Sequence, residues 1–412
     1  MEPQQRRALG VVFLVVVVDL LGFGVLLPLL AQYGKRLHAT DLEIGLLASS
    51  FSFVQFLFSP LWGRVSDRVG RRPVLMAGLC ASAAFYLLFA YAAFKESLAL
   101  MFVSRIGAGA AGATIATAQA YVADVTTKEE RTRSMALIGM AFGLGFVIGP
   151  LLGVGSFALF SPGPISEHLS PIPGYLAASL SATALVLAFF LLPETVGQSK
   201  DPRESDARFS AGAWRMVFSK KTLAWSVFAF FASTLGFTQF EGTLSLVLYV
   251  VYGMKEKETY GTFLYLGFIF ALATSLVRPM TKRHSDEKLA RTGVTLILIG
   301  ILLGWAALAF GTFWTLIAVM PVVVLGFAMV TPTLQSNVSK QAPADRQGTV
   351  MGVNQAASAL ARVLGMAIGP VLLGLNLYLP YLTTAALMLV VLAIMAARLP
   401  FGPTAAAIPE SA

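Results

Sequence analysis

The chain has 412 residues, 57% of them hydrophobic and only 12% charged, with a mean hydropathy of +0.75; soluble domains do not carry that composition, so the chain belongs in a bilayer. A net charge of +9 would suit a nucleic-acid surface, but the basic residues fall in short stretches between apolar runs, which excludes that partner. One cysteine, Cys80, and three scattered histidines, His38, His168 and His284, make neither a disulfide framework nor a metal site, and no P-loop pattern occurs. No cofactor, metal or enzyme activity is expected.

A spanning helix needs about 20 apolar residues. Roughly twelve such runs can be laid along the chain, at 8–31, 44–63, 73–93, 97–121, 134–158, 174–193, 223–250, 259–281, 291–311, 314–339, 347–373 and 379–397. With a cytoplasmic N-terminus, about 22 Lys and Arg lie on the cytoplasmic side and about 5 outside. Both termini are then cytoplasmic. Arg6 and Arg7 precede a full-length span with no small-residue cleavage site, so no signal peptide is expected. Short loops suggest a multi-pass protein of a bacterial inner membrane, monomeric, whose partners are lipid, protons and a small-molecule substrate.

In chain order, span one carries Asp19-Leu20-Leu21-Gly22-Phe23-Gly24 and Pro28. The stretch Gly63-Arg64-Val65-Ser66-Asp67-Arg68-Val69-Gly70-Arg71-Arg72 lies between spans two and three, where Gly63 and Gly70 permit turns and Asp67 suits a helix N-terminus. Span four holds Arg105, Gly109 and Gly112, with Asp124 at its inner end. In span five Gly145, Gly149 and Gly153 form one smooth face, and Pro150 removes a backbone hydrogen bond in its middle. Pro- and Gly-rich sequence at 160–174 is expected to fold over the outer mouth. The mixed-charge stretch from Glu194 to Lys221 reads as a linker, with a short surface helix near Trp214. It divides the chain into 1–193, 194–221 and 222–412. An internal repeat supports that division: Gly145 to Pro150 is echoed by Gly365 to Pro370 at an offset of 220, and the same offset sets Asp67, Arg68 and Arg71 against Glu287, Lys288 and Arg291.

Together these four patterns resemble the major facilitator superfamily and its twelve-span drug/proton antiporter branch, which includes tetracycline antiporters. The resemblance implies an all-α membrane protein of two six-helix bundles that works by alternating access. It implies a cytoplasmic latch made by Gly63, Asp67, Arg68, Gly70, Arg71 and Asp124, in which Asp67 meets the start of span eleven near Gln347 and Gly348 and Arg71 pairs with Asp124. The Gly145, Gly149, Pro150 and Gly153 segment resembles the antiporter motif, which the family implies limits ion leak.

Few ionisable residues lie inside the spans: Asp19, Arg105, Glu241 and Arg362, with Arg278 near a boundary. Each is costly in lipid and should face a cavity or partner. Helical spacing puts Thr234, Thr238, Glu241 and Ser245 on one face, Asn354, Ser358 and Arg362 on another, and Arg105, Gly112 and Gln119 on a third. Arg105, Gln119, Gln239, Asn354, Ser358 and Arg362 are therefore candidate cavity walls. A carboxyl that is poorly solvated when charged can hold a proton near neutral pH and yield it when water or a cation arrives. Glu241 is preferred over Asp19 for that task; Asp19, whose repeat counterpart is Gln239, has a structural role with Arg105 as its alternative. Phe231, Phe237 and Phe240 would add ring contacts to a cation. The expected activity is proton-coupled export of amphipathic or cationic molecules. An organic-anion or sugar carrier using Arg105 or Arg362, and a transport-dead receptor or scaffold, are the alternatives.

Overall fold

The computed structural model describes residues 3–125, 128–160, 168–194, 211–342 and 347–397, and these contain no β-strand. Lipid offers backbone groups no hydrogen-bond partner, so each apolar run closes its own hydrogen bonds as a helix. The helices are α1 (Pro3–Leu26), α2 (Leu30–Arg36), α3 (Asp41–Val69), α4 (Arg71–Phe94), α5 (Leu98–Gly112), α6 (Ile115–Val125), α7 (Lys128–Phe160), α8 (Ile172–Leu191), α9 (Ala211–Ser219), α10 (Lys221–Val250), α11 (Glu256–Arg283), α12 (Asp286–Phe310), α13 (Phe313–Gln341), α14 (Gln347–Leu375) and α15 (Leu379–Ala396). Among the described residues, 11 segments are long and apolar enough to cross a membrane. The place of the fifth span is taken by α7, with the apolar stretch Val147–Phe160.

Three elements differ from the sequence reading, each for a local reason. Span one continues through a single 3-10 turn at Leu27–Leu29, where Pro28 lacks an N–H, and then runs to Arg36. Span four is interrupted at Ala113 and Thr114, where the N–H of Thr114 turns back to the carbonyl of Ala111, so α5 and α6 are separate rods. Gly63 makes no turn: it lies inside α3, with open space where a side chain would stand. Helix starts follow the capping rules. Thr40 and Glu43 form a capping box at α3, and Ser97 and Ser285 cap α5 and α12.

The chain divides into two compact units, Met1–Ser205 with Leu244–Gly267, and Asp206–Thr243 with Phe268–Ala412. In the first, α1 packs on α7 and α8, and α4 packs on α5 and α8. Its apolar core has one layer of Val12, Val15, Val16 and Leu20 against Leu79, Tyr121 and Ala184, and another of Leu26, Leu29 and Tyr33 against Phe89 and Met101. In the second, α12 packs on α13 and α15. The surface helix expected near Trp214 is α9, whose Val217 is buried with Trp214 and Met216 against Leu223, Val227, Val338, Val350 and Val353.

Between α1 and α7 the packing is backbone on backbone. A Cβ at Gly24 would stand 2.3 Å from the carbonyl oxygen of Gly145, and one at Gly149 would stand 2.6 Å from the carbonyl carbon of Gly24. One at Gly153 would meet the ring of Tyr260 at 2.5 Å. In the second unit α14 lies on α10 in the same manner: Gly365 faces Leu235, Thr238 and Gln239, and Gly369 faces Gln239 and Thr243. Without a hydrophobic effect between helices, this close approach supplies the dispersion contacts that hold them. Gly149→Ala should therefore cost about 1–3 kcal/mol by pushing two backbones apart, and Gly149→Leu more. Gly155, on the same helix with nothing within 4 Å, should accept alanine without loss. Thermal unfolding in detergent measures the difference, and equal behaviour of Gly149→Ala and Gly155→Ala would show that this contact does not hold the bundle.

Candidate functional site

The charged corner between α3 and α4 turns on Gly70, at φ +115°, a backbone region that side chains rarely adopt. A Cβ there would also lie 2.7 Å from Glu194 Oε2. The carboxylate of Glu194 accepts the backbone N–H groups of Arg71 at 3.1 Å and Arg72 at 3.2 Å, so it caps α4 where the helix dipole favours an anion. The Arg71 side chain is buried. Its Nη1 reaches Asp67 Oδ1 and Ser66 Oγ, each at 2.6 Å, and its Nε donates to Asp124 Oδ2 at 3.0 Å. Arg72 donates to the carbonyl of Phe189 at 2.6 Å and lies over its ring. Arg68 is exposed. Glu194 was read only as the first residue of a linker, because its partners stand 122 and 123 positions away. The second-half echo keeps the spacing and loses the corner: Glu287 and Arg291 pair at 2.8 Å, but both lie on α12.

Inside the first unit, Asp19 and Arg105 do not meet; no ion pair within 4.0 Å joins them. Asp19 Oδ1 accepts from the hydroxyl of Ser181, tying α1 to α8 at 3.2 Å. Arg105 is 0% exposed, and none of its three guanidinium nitrogens has a hydrogen-bond partner. It lies over the rings of Phe51, at 4.7 Å, and Phe23, at 5.6 Å. The glycine face of α5 is filled: Gly109 and Gly112 both press on Phe51, and Gln55 donates to the carbonyl of Gly112 at 2.9 Å. Gly112 is thus no cavity wall, and Gln119 lies exposed on α6, beyond the break that separates it from Arg105.

In the second unit, Gln239 is 3% exposed and donates to Thr383 Oγ1 at 2.6 Å and to the carbonyl of Pro380 at 3.2 Å. It ties α10 to α15. Asp19, its repeat counterpart, ties α1 to α8 as an acceptor, where Gln239 is a donor. Thr234 and Thr238 turn their hydroxyls onto carbonyls of their own helix, at Phe230 and Thr234. Two of the three rings stack elsewhere, Phe237 on Phe327 at 3.8 Å and Phe240 edge-on to Tyr381 at 6.3 Å; Phe231 stacks on Phe228. Glu241 differs from all of these. It is half-buried, it feels the charge of Arg362 on α14, and among the described residues no hydrogen bond or ion pair engages it. Arg362 donates to Ser358 Oγ at 2.9 Å, one turn back. Asn354, a further turn back, is 0% exposed with neither amide atom partnered. Arg362, with Ser358 bonded to it, is thus brought near Glu241, while Ser245 belongs to the other unit.

The sequence profile of the Major Facilitator Superfamily matches residues 12–366. The class C tetracycline resistance protein of Escherichia coli is 31% identical over 372 residues, 88% of each chain. Multidrug resistance protein 2 of Bacillus subtilis (strain 168) is 26% identical over 378 residues, 90% of each. Among solved structures, the human organic anion transporter MFSD10 (TETRAN) superposes with a TM-score of 0.65 at 24% identity, covering 96% of this chain and 100% of that one. A D-xylose-proton symporter does so with 0.71 at 16% identity, covering 96% and 98%. At such identities the likeness establishes the fold.

The corner makes a stability prediction. Arg71→Met leaves Asp124, with a side chain 8% exposed, as an uncompensated buried charge and should cost about 3–5 kcal/mol. Asp67→Asn, at a side chain 34% exposed, should cost about 1 kcal/mol or less. Thermal unfolding of the purified variants orders them; equal losses would show that packing, not charge, holds the corner.

Proposed function

Because the chain belongs to the Major Facilitator Superfamily, a family of transporters, we propose that it is a proton-coupled antiporter that exports amphipathic or cationic small molecules by alternating access. The observation that carries this reading is Glu241, a carboxyl inside a membrane span that no donor holds and that faces an arginine without pairing. Such a group can take a proton or a cation in turn. Asp19 is the weaker candidate, since its carboxyl is already engaged by the hydroxyl of Ser181 as a tie between α1 and α8. Export is supported by the tetracycline and multidrug resistance proteins among its relatives. In this reading 1–193 and 222–412 are the two six-span halves, with 194–221 between them. The membrane is a bacterial inner membrane, both termini are cytoplasmic, and the protein works as a monomer. Gly63, Asp67, Arg68, Gly70, Arg71 and Asp124 serve as the cytoplasmic latch, and Gly145, Gly149, Pro150 and Gly153 keep ions from leaking.

A second reading is favoured by one observation. The buried guanidinium of Arg105 has no hydrogen-bond partner, and its donors would suit an anionic substrate, which is consistent with the organic anion transporter among the structural neighbours.

Vesicles with an imposed pH gradient separate the two. Glu241→Gln should abolish substrate-driven proton flux and leave the fold intact, while Asp19→Asn, which keeps the acceptor for Ser181, should retain most of it. Flux at the wild-type level in Glu241→Gln removes Glu241 from the mechanism. Anion exchange that is lost in Arg105→Gln and untouched in Glu241→Gln establishes the second reading.

A further inference from the structure

In the second unit, the short helix α9 and the first turns of α10 carry a basic and aromatic face that transport by the membrane carboxyls leaves unused. One side of α9 is anchored. Val217 is 0% exposed and packs with Leu223 and Val227 of α10, Val338 of α13, and Val350 and Val353 of α14. The other face of α9 holds Arg215, Phe218 and Ser219, all exposed, and it continues into Lys220 at the joint and Lys221 and Trp225 at the start of α10, also exposed. Phe218 is 57% exposed and Trp225 48%. Trp214 stacks on Phe218 with ring centroids 5.9 Å apart, and Trp225 meets Phe228 edge-on at 6.0 Å.

The charge of this face is one-sided. No acidic residue occurs in α9, and α10 has none before Glu241. Among the described residues no carboxylate pairs with Arg215, Lys220 or Lys221. Other cations near helix ends do have partners: Lys35 has Asp41, Arg291 has Glu287 and Lys340 has Asp286. Lys221 precedes Trp225 by about one turn, roughly 6 Å along the same face of α10. Its ammonium can therefore extend past the ring toward water while the ring keeps to the apolar boundary.

Water alone does not suit such a face, because two large rings would stand in it, and hydrocarbon alone does not, because three cations would. The headgroup layer accommodates both, and a phosphate there accepts charge-assisted hydrogen bonds from guanidinium and ammonium groups. We propose that Arg215, Phe218, Lys220, Lys221 and Trp225 form a binding face for an anionic phospholipid, with the phosphate on the cations and the acyl chains along the rings. The bound lipid holds α9 down on Val338, Val350 and Val353, and so supports the first turns of α14, the helix that carries Arg362. Only the name of the leaflet, cytoplasmic, rests on the proposed orientation; the binding depends neither on antiport nor on Glu241.

The test uses the full-length protein in phosphatidylcholine bilayers that contain, at equal mole fraction, either phosphatidylglycerol or phosphatidylcholine brominated on the acyl chains. Bromine quenches tryptophan on contact, and the difference between the parent and Trp225→Phe isolates the signal at this face. The assay reads both leaflets, so its result does not depend on orientation. Phosphatidylglycerol should be preferred at low salt by about five-fold for each cation that engages a headgroup, and added salt should shrink the preference. Lys221→Gln should lower it by about that factor, and the triple replacement Arg215→Gln, Lys220→Gln and Lys221→Gln should abolish it. The exchange Arg215→Lys, Lys220→Arg and Lys221→Arg, which keeps the charges, should retain it and so separates loss of charge from loss of fold. Soluble glycerol phosphate should not displace the lipid. Equal quenching by the two lipids in the parent overturns the proposal, as does a preference that survives the triple replacement, and displacement by glycerol phosphate would show a site for free phosphate instead.

Discussion

Backbone contact between α1 and α7 is the constraint from which the first unit is built. In lipid the apolar term that closes soluble cores is absent between helices, so adhesion depends on how near two backbones can come. Gly24 meets Gly145 and Gly149 at distances no side chain would allow, and that fixes the depth and rotation of α1. Once α1 is fixed, Asp19 faces Ser181 on α8. The second unit repeats the scheme with other chemistry: Gly365 and Gly369 of α14 on α10, and Gln239 of α10 bonded to Thr383 of α15. In each half the first span is held between the fifth and the sixth, by small residues on one side and one polar bond on the other.

Polar groups divide by this scheme. Where the fold needs a fixed joint they are satisfied, as with Arg71 among Ser66, Asp67 and Asp124, and Glu194 on the exposed N–H groups of α4. Arg105 and Asn354 are not, although a buried polar group without a partner is costly; the half-buried Glu241 has no hydrogen bond or ion pair among the described residues. In the proposed function these are the places that a ligand or a proton would complete.

Much of this was legible in the sequence, and what was not has definite causes. Apolar runs gave the spans because lipid forces every one into a helix, and the offset of 220 exposed the repeat because glycine contacts tolerate little substitution. Gly63 misled because glycine tolerates a turn but does not demand one, and α3 simply continues past the apolar run. The face of Arg105, Gly112 and Gln119 assumed an unbroken helix, and the interruption at Ala113 and Thr114 carries no Pro to mark it. Glu194 and Gln239 were hidden because their partners are fixed by packing, at 123 and 144 positions' remove. Nothing in the sequence indicated that Leu244–Gly267 clusters with the first unit.

At the Gly70 corner and its echo the two copies hold their charges in different settings. Asp67 lies in the last turn of α3 and Arg71 opens α4, so their pair spans the turn at Gly70, whereas Glu287 and Arg291 both lie on α12. The second copy keeps its charges without the glycines because an i to i+4 pair on a single helix needs no turn.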